Sequence, residues 1–247
     1  MDESVTLSLK SGLEYLLRFA ETKSWEIPSD LQKRISVLHR KQLHDELMSV
    51  KSFTPDITKY KEDYKKAILA AILLYAVDPA GAELMFDFGM ATAFANTFLS
   101  SWVDGGASLP VNHDSSVWLS QREEQERKYV TALFVSLALL LKRPDFDINS
   151  WASTRADGYL STLSGISAIG TLRAKIASGH GEDLYEFQGV SGVESCKECQ
   201  DMLGKKMTAK EIIEQDLIPY AGTSLYSCHG YRCEHFFADS GGKVLSA

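Results

Sequence analysis

Apolar residues recur at helical spacing through most of the first 180 residues, and this pattern predicts one amphipathic helix after another. The first apolar stripe contains Leu9, Leu13, Leu16 and Leu17. A capping-box sequence that begins at Ser29 predicts the start of the next helix. We therefore expect a mainly α fold built on a multi-helix body.

Turn and cap residues predict where these helices begin and end. Thr54-Pro55 has the composition of an N-cap followed by proline at the first helical position. Asp78-Pro79 should break one helix and start another, and the glycine-rich stretch 104–110 should form a loop. Ser116 can cap the following helix, and Gly179 suits the position just after the last one.

Two apolar runs, residues 67–77 and 129–141, are shorter than the roughly 20 residues that a membrane-spanning helix needs. We interpret both runs as buried helices and expect no membrane association. The charged residues 122–128 should form the solvent-exposed end of the second of these helices. Gly158, Gly165 and Gly170 in the last long helix indicate close backbone packing or a kink.

The pattern changes after Gly179, where short apolar segments and turn residues replace the long helices. Thr208-Ala-Lys-Glu211 predicts a capped short helix, and the residues around Lys205 and Lys206 could form a small strand. A module of this size buries too little apolar surface to fold without a covalent or metal crosslink. We therefore predict a helical body over residues 1–180 and a small α+β module over residues 181–247.

All four cysteines lie in this second part, as Cys196-Lys-Glu-Cys199 and the pair Cys228 and Cys233. Two close pairs of thiolates can bind one tetrahedral zinc ion, and the spacing predicts a structural zinc site with these four ligands. His229 is an alternative ligand, and His235 ranks below it. The rival interpretation is two disulfides, which the acidic start of the chain, unlike a secretory signal, disfavours.

The charge balance argues against nucleic acid as the main partner. The formal net charge is -7, and between Glu194 and Glu234 the sequence has seven acidic residues and five basic ones. A surface that binds phosphates needs the opposite balance. We therefore predict no DNA-binding signature.

Residues 169–237 resemble the C-terminal part of the phage Mu F-type head morphogenesis family, the minor head proteins of tailed phages. Thr171 to Ser178 stands where the family has a helix, and Gly189-Val190 falls near its strand. The run from Cys196 to Gly204-Lys205 is similar to the family's C-x2-C-x4-G-K motif, and Arg232-Cys233 is similar to its terminal R-C. Cys228 stands where the family has histidine.

The resemblance implies a non-enzymatic virion protein that assists head assembly near the portal. It also implies portal or capsid subunits as partners, and a location in the virion and, during assembly, in the host cytoplasm. None of these properties follows from composition or periodicity.

Two other functions fit parts of the sequence. His180-Gly-Glu182 followed by Cys196 and Cys199 is similar to the motif of zinc-dependent nucleobase deaminases, although Ser195 replaces the expected proline. A polar turn is the simpler interpretation of His180 and Glu182. The second alternative is a zinc-knuckle interaction protein outside phage, with aromatic residues packed around the metal.

Overall fold

The computed structural model describes residues 29–51, 56–189, 195–220, 226–227 and 233–245, with side chains from residue 37 onward. The predicted stripe from Leu9 to Leu17 and the side chains of the Ser29 capping box lie outside the described residues. The described part is mainly helical, as the sequence predicts. Five long helices come first: α1 (Ser29–Ser49), α2 (Ile57–Tyr75), α3 (Pro79–Asp104), α4 (His113–Leu140) and α5 (Ile148–Ala177).

Shorter elements follow the long helices, and they form the α+β region that the sequence predicts. In chain order they are β1 (Leu184–Gln188), α6 (Lys197–Met202), β2 (Lys206–Thr208), α7 (Ala209–Glu214) and β3 (Phe236–Asp239). The chain divides into two compact units. The first contains Met1–Asn96 and Pro110–Leu160, and the second contains Thr97–Leu109 and Ser161–Ala247. Whether residues 181–247 fold independently stays a prediction.

Aromatic side chains form the centre of the first unit. Tyr64 contacts Phe86 and Phe94 edge-on, with ring centroids 6.2 and 6.1 Å apart. Phe86 in turn contacts Phe134 and Tyr159 in the same geometry. Such edge-to-face pairs are a favourable arrangement of aromatic rings, and they join helices α2, α3, α4 and the start of α5 in one core.

Two predicted helix boundaries are confirmed and one is wrong. Helix α3 starts at Pro79, and Gly179, which follows α5, adopts a left-handed conformation with φ of 87°. The N-cap of α2 is Asp56, which accepts a hydrogen bond from the Lys59 amide, and the predicted cap at Thr54-Pro55 lies outside the described residues. The N-cap of α4 is Asn112 rather than Ser116. In both helices a side chain that accepts a hydrogen bond from the first turn decides the boundary.

The expectation that residues 122–128 face solvent is confirmed for Glu124 and Lys128 and wrong for three others. Arg122, Glu123 and Glu126 are buried, because α4 packs against other helices along this stretch. Arg122 and Glu126 form an ion pair with a 2.9 Å N–O distance, one helical turn apart. Glu123 and Arg127 pair with charged or titratable side chains of other helices.

The apolar run of residues 129–141 is only half buried. Val130, Leu133, Phe134 and Leu137 lie in the core, whereas other apolar side chains of the run, including Val135 and Leu139, are exposed. A helix with one buried face exposes whatever lies on the other. Within the described residues, no helix has the length and apolarity needed to cross a bilayer.

The second unit contains a three-stranded antiparallel sheet with strand order β2-β1-β3. Tyr185 of β1 pairs with Met207 of β2, and Phe187 of β1 pairs with Phe237 of β3. Phe187 and Phe237 are fully buried and their rings contact edge-on at 5.0 Å. The central strand thus carries the core of the α+β region.

Candidate metal centre

The first cysteine pair lies at the start of a short helix. Cys196 is the N-cap of α6, and Cys199 is buried one turn into that helix. This spacing brings the two side chains together, and the Cys196 side chain hydrogen-bonds Cys199. The C-x2-C motif therefore forms the compact loop-to-helix turn that its spacing predicts.

Gly204 returns the chain from α6 to the sheet. Its φ of 75° lies in the left-handed region that favours glycine. The Gly204 amide donates a 2.9 Å hydrogen bond to the Phe187 carbonyl, and the Phe187 amide donates to the Lys205 carbonyl. The glycine and lysine of the C-x4-G-K sequence thus connect the cysteine-bearing helix to β1.

Cys233 and His235 lie in the extended segment that enters β3. Residues two apart in an extended chain point to the same side, which brings both side chains towards α6. The sulfurs of Cys199 and Cys233 are 3.8 Å apart. The Cys233 sulfur is 3.5 Å from Nδ1 of His235.

These distances suit a tetrahedral metal ion. Bonds of about 2.3 Å to sulfur and 2.0–2.1 Å to nitrogen place two sulfurs about 3.8 Å apart, and a sulfur and a nitrogen about 3.5 Å apart. The three potential ligand atoms of Cys199, Cys233 and His235 all lie within 4.8 Å of one another. This group could hold a metal ion, and its geometry does not by itself identify the metal.

The electrostatic environment of Cys199 opposes a thiolate when no cation is bound. Burial raises the pKa of this thiol well above its ordinary value, and contacts with Cys196 and Cys233 raise it further. Several thiols cannot all ionise to thiolates side by side in an apolar site without a counter-charge. A bound metal cation supplies that charge and reverses the effect.

Aromatic stacking fixes the ring of His235. The ring is buried and stacks on Phe187 at a centroid distance of 5.6 Å and an interplanar angle of 8°. Phe187 also stacks on Tyr226, whose hydroxyl donates a 2.7 Å hydrogen bond to the Leu217 carbonyl. The histidine is therefore part of the core beside β1.

Gly189 makes room for this histidine. A Cβ atom at position 189 would lie 2.6 Å from Cδ2 of His235, closer than real contacts allow. The φ of Gly189, 152°, also favours glycine. A glycine at the end of β1 thus permits the imidazole to lie against the backbone.

A hydrogen bond connects α6 to the segment before the second cysteine pair. Ser227, the residue before Cys228, donates a 2.7 Å hydrogen bond to Oε2 of Glu198. This bond is the main reason that the pKa of Glu198 is lowered to about 2. The chain immediately before Cys228 is therefore fixed beside the helix that carries Cys199.

The structure brings together some of the predicted ligands and adds one that the sequence ranked low. Cys196, Cys199 and Cys233 form no disulfide, and the last two belong to the potential metal group. Cys228 and His229 lie outside the described residues, so the four-cysteine ligand set stays a prediction. His235 is the addition, and the C-x-H spacing after Cys233 is the sequence signal that points to it.

The deaminase-like residues lie elsewhere. His180 and Glu182 occupy the exposed turn between α5 and β1. His180 faces Asp183, with 3.6 Å between Nδ1 and a carboxylate oxygen. Among the described residues, neither His180 nor Glu182 belongs to the potential metal group. The polar-turn interpretation accounts for them.

A cavity of about 270 Å³ adjoins the potential metal group. Cys233 and His235 line one part of it, and Gly165 and Tyr220 line another. Its surface mixes hydroxyl, carboxylate and aromatic groups, so the cavity alone favours no single ligand chemistry.

Comparisons of the chain with protein-family models, curated proteins and solved structures find no match.

Proposed function

We propose that this protein is a non-enzymatic assembly protein of a tailed-phage particle, with one structural zinc ion in its C-terminal module. The observation that carries the zinc proposal is the Cys199, Cys233 and His235 group, whose distances suit a tetrahedral ion. The resemblance of residues 169–237 to minor head proteins supports the phage role.

The zinc ion crosslinks parts of the chain that are far apart in sequence. It joins α6, through Cys199, to the segment entering β3, through Cys233. The region between them contains only the end of α6, β2, α7 and loops among its described elements, and so small a module buries a limited apolar surface in total. Metal binding supplies the missing folding free energy, about 10–16 kcal/mol in small zinc modules at neutral pH.

A structural role for the zinc ion follows from the number of protein side chains available to bind it. Cys196 hydrogen-bonds Cys199, so a fourth potential ligand lies beside the three-residue group. A zinc ion with four protein ligands has no open position for water and cannot activate a nucleophile. The module then serves as a rigid surface for portal or capsid subunits.

Two measurements test this proposal. Metal analysis of the purified protein should find one zinc per chain, and assembling particles should contain the protein together with portal or capsid subunits. A deletion of residues 195–247 should abolish the co-purification. A metal-free protein would contradict the zinc proposal. Particles that assemble normally with the deletion would contradict the assembly role.

The deaminase alternative predicted from the sequence is disfavoured, because Glu182 lies in the exposed turn between α5 and β1 and does not line the cavity beside Cys233 and His235. That activity would require an open metal position for water and Glu182 beside it to transfer protons. Zinc-dependent deamination of cytosine or adenine nucleotides that is lost in Glu182→Ala would favour this candidate. Equal activity with and without the substitution would reject it.

A further inference from the structure

The segment Cys233-Glu234-His235 presents two potential metal ligands, whereas the sequence pattern alone assigned one. Cys233 and His235 alternate with the exposed Glu234, so both face inward from the same side of the extended chain. The family that the module resembles has its histidine before the last cysteine, and here the histidine follows it. This arrangement places a potential ligand after the last cysteine.

We infer that His235 binds the metal through Nδ1, together with the sulfurs of Cys199 and Cys233. The inference rests on the proposed metal binding but not on the phage role. It adds to the sequence-based ligand set a histidine that the fold brings to the site.

Three observations support His235. Its Nδ1 lies 3.5 Å from the Cys233 sulfur, the separation that a shared tetrahedral zinc ion requires. Stacking on Phe187 holds the ring in that orientation, so little side-chain entropy is lost when it binds the ion. Gly189 provides the space in which the ring lies.

Cys196 lies beside this group as a further potential ligand, because it is the N-cap of α6 and its side chain hydrogen-bonds Cys199. A C-x2-C pair on one turn is the usual source of two sulfurs for one zinc ion. Three thiolates and one neutral imidazole leave a net charge of -1 on the zinc complex, compared with -2 for four thiolates. The smaller charge costs less to bury beside Phe187 and Phe237.

X-ray absorption of the zinc-loaded, full-length protein tests the set without any substitution. We expect three sulfur neighbours at about 2.3 Å and one nitrogen neighbour at about 2.0–2.1 Å. Four sulfur neighbours would overturn the assignment of His235 and leave the proposed structural zinc intact. A protein that binds no zinc would overturn both.

Matched variants identify the histidine. His235→Ala should weaken zinc binding more than about 100-fold, since loss of an outer-shell partner alone costs 10–100-fold. His180→Ala, in the exposed turn between α5 and β1, should retain binding within a few-fold. Cobalt substitution gives a second readout, because the thiolate-to-cobalt absorption should fall in Cys199→Ser and stay unchanged in His180→Ala. Wild-type zinc affinity in His235→Ala would overturn the inference.

Discussion

The two compact units both bury ionisable side chains, but they neutralise them in different ways. In the first unit, the chain supplies its own counter-charges: Arg122 pairs with Glu126, and Arg127 pairs with Asp87. Burial raises the pKa of Asp87, and the charges of Arg127 and Arg40 oppose that shift. In the second unit, burial and the neighbouring thiols all raise the pKa of Cys199.

The two units therefore differ in where a compensating charge can come from. Buried carboxylates beside arginines are partly compensated within the chain: burial raises the pKa of Glu126 to about 7, and the charge of Arg122 opposes that shift. Clustered thiolates need a bound cation for the same purpose. If the group of Cys199, Cys233 and His235 holds a metal ion, as we propose, that ion supplies the charge.

The largest effect should come from removing a metal ligand. Cys199→Ser should abolish zinc binding and unfold the region around β1, α6 and β3, because about 10–16 kcal/mol of metal-binding free energy is lost. Hydrogen exchange should become fast in residues 184–188 and 236–239 and stay slow in α4. Zinc removal with a chelator should reproduce this pattern, and zinc addition should reverse it in the wild type. Loss of protection in α4 would show that both units unfold together.

The second prediction tests whether the first unit compensates its own buried charges. Arg122→Met should destabilise it by about 3–5 kcal/mol, because Glu126 would remain buried without its partner. The double variant Arg122→Met with Glu126→Leu should recover most of that loss. Thermal or denaturant unfolding measures both effects.

A surface pair provides the control for this experiment. Lys66 and Asp63 are 3.9 Å apart, and 70% of the Lys66 side chain is exposed. Lys66→Met should change stability by less than about 1 kcal/mol. If Arg122→Met were equally mild, the buried pair would contribute little, and the contrast between the two units would fail.

Local signals in the sequence predicted much of the fold. The capping box at Thr208 and Glu211 forms as expected, with both of its reciprocal hydrogen bonds. Pro79 and Gly179 mark helix ends correctly because their backbone preferences act locally.

Features that depend on distant residues were missed. The buried face of α4 at Glu123 requires His44 of α1, whose Nε2 lies 3.3 Å from the carboxylate. The position of His235 requires Phe187 and Gly189, which belong to another strand and its end. No local pattern around residues 123 or 235 contains these partners, so the charged run looked exposed and His235 ranked low.

The third prediction concerns how the stability of the first unit changes at acidic pH. His39 stacks on Phe88 with centroids 3.8 Å apart, and burial, followed by the charge of Arg40, lowers its pKa to about 4. Between about pH 6.5 and pH 4 the unfolded chain therefore binds more protons than the folded one. Stability falls as the pH falls through this window, by up to about 3 kcal/mol from this group.

His39→Phe tests this account because it keeps an aromatic ring on Phe88 and removes the titration. The variant should lose less stability than the wild type between pH 6.5 and pH 4, as measured by denaturant unfolding at several pH values. Parallel pH profiles for the two proteins would show that His39 does not contribute to acid sensitivity.

The smallest expected effects compare two glycines of α5, one in each unit. Gly158 is exposed, and a Cβ atom added there would meet no neighbouring atom within 4 Å, so Gly158→Ala should stabilise the helix by about 0.5–1 kcal/mol. At Gly165 a Cβ atom would lie 2.4 Å from Cβ of Tyr220, so Gly165→Ala should destabilise by about 1–3 kcal/mol. Thermal unfolding of the two variants measures both signs. A gain in stability at both positions would mean that Tyr220 can move away from α5, and that the second unit is packed less tightly than its contacts indicate.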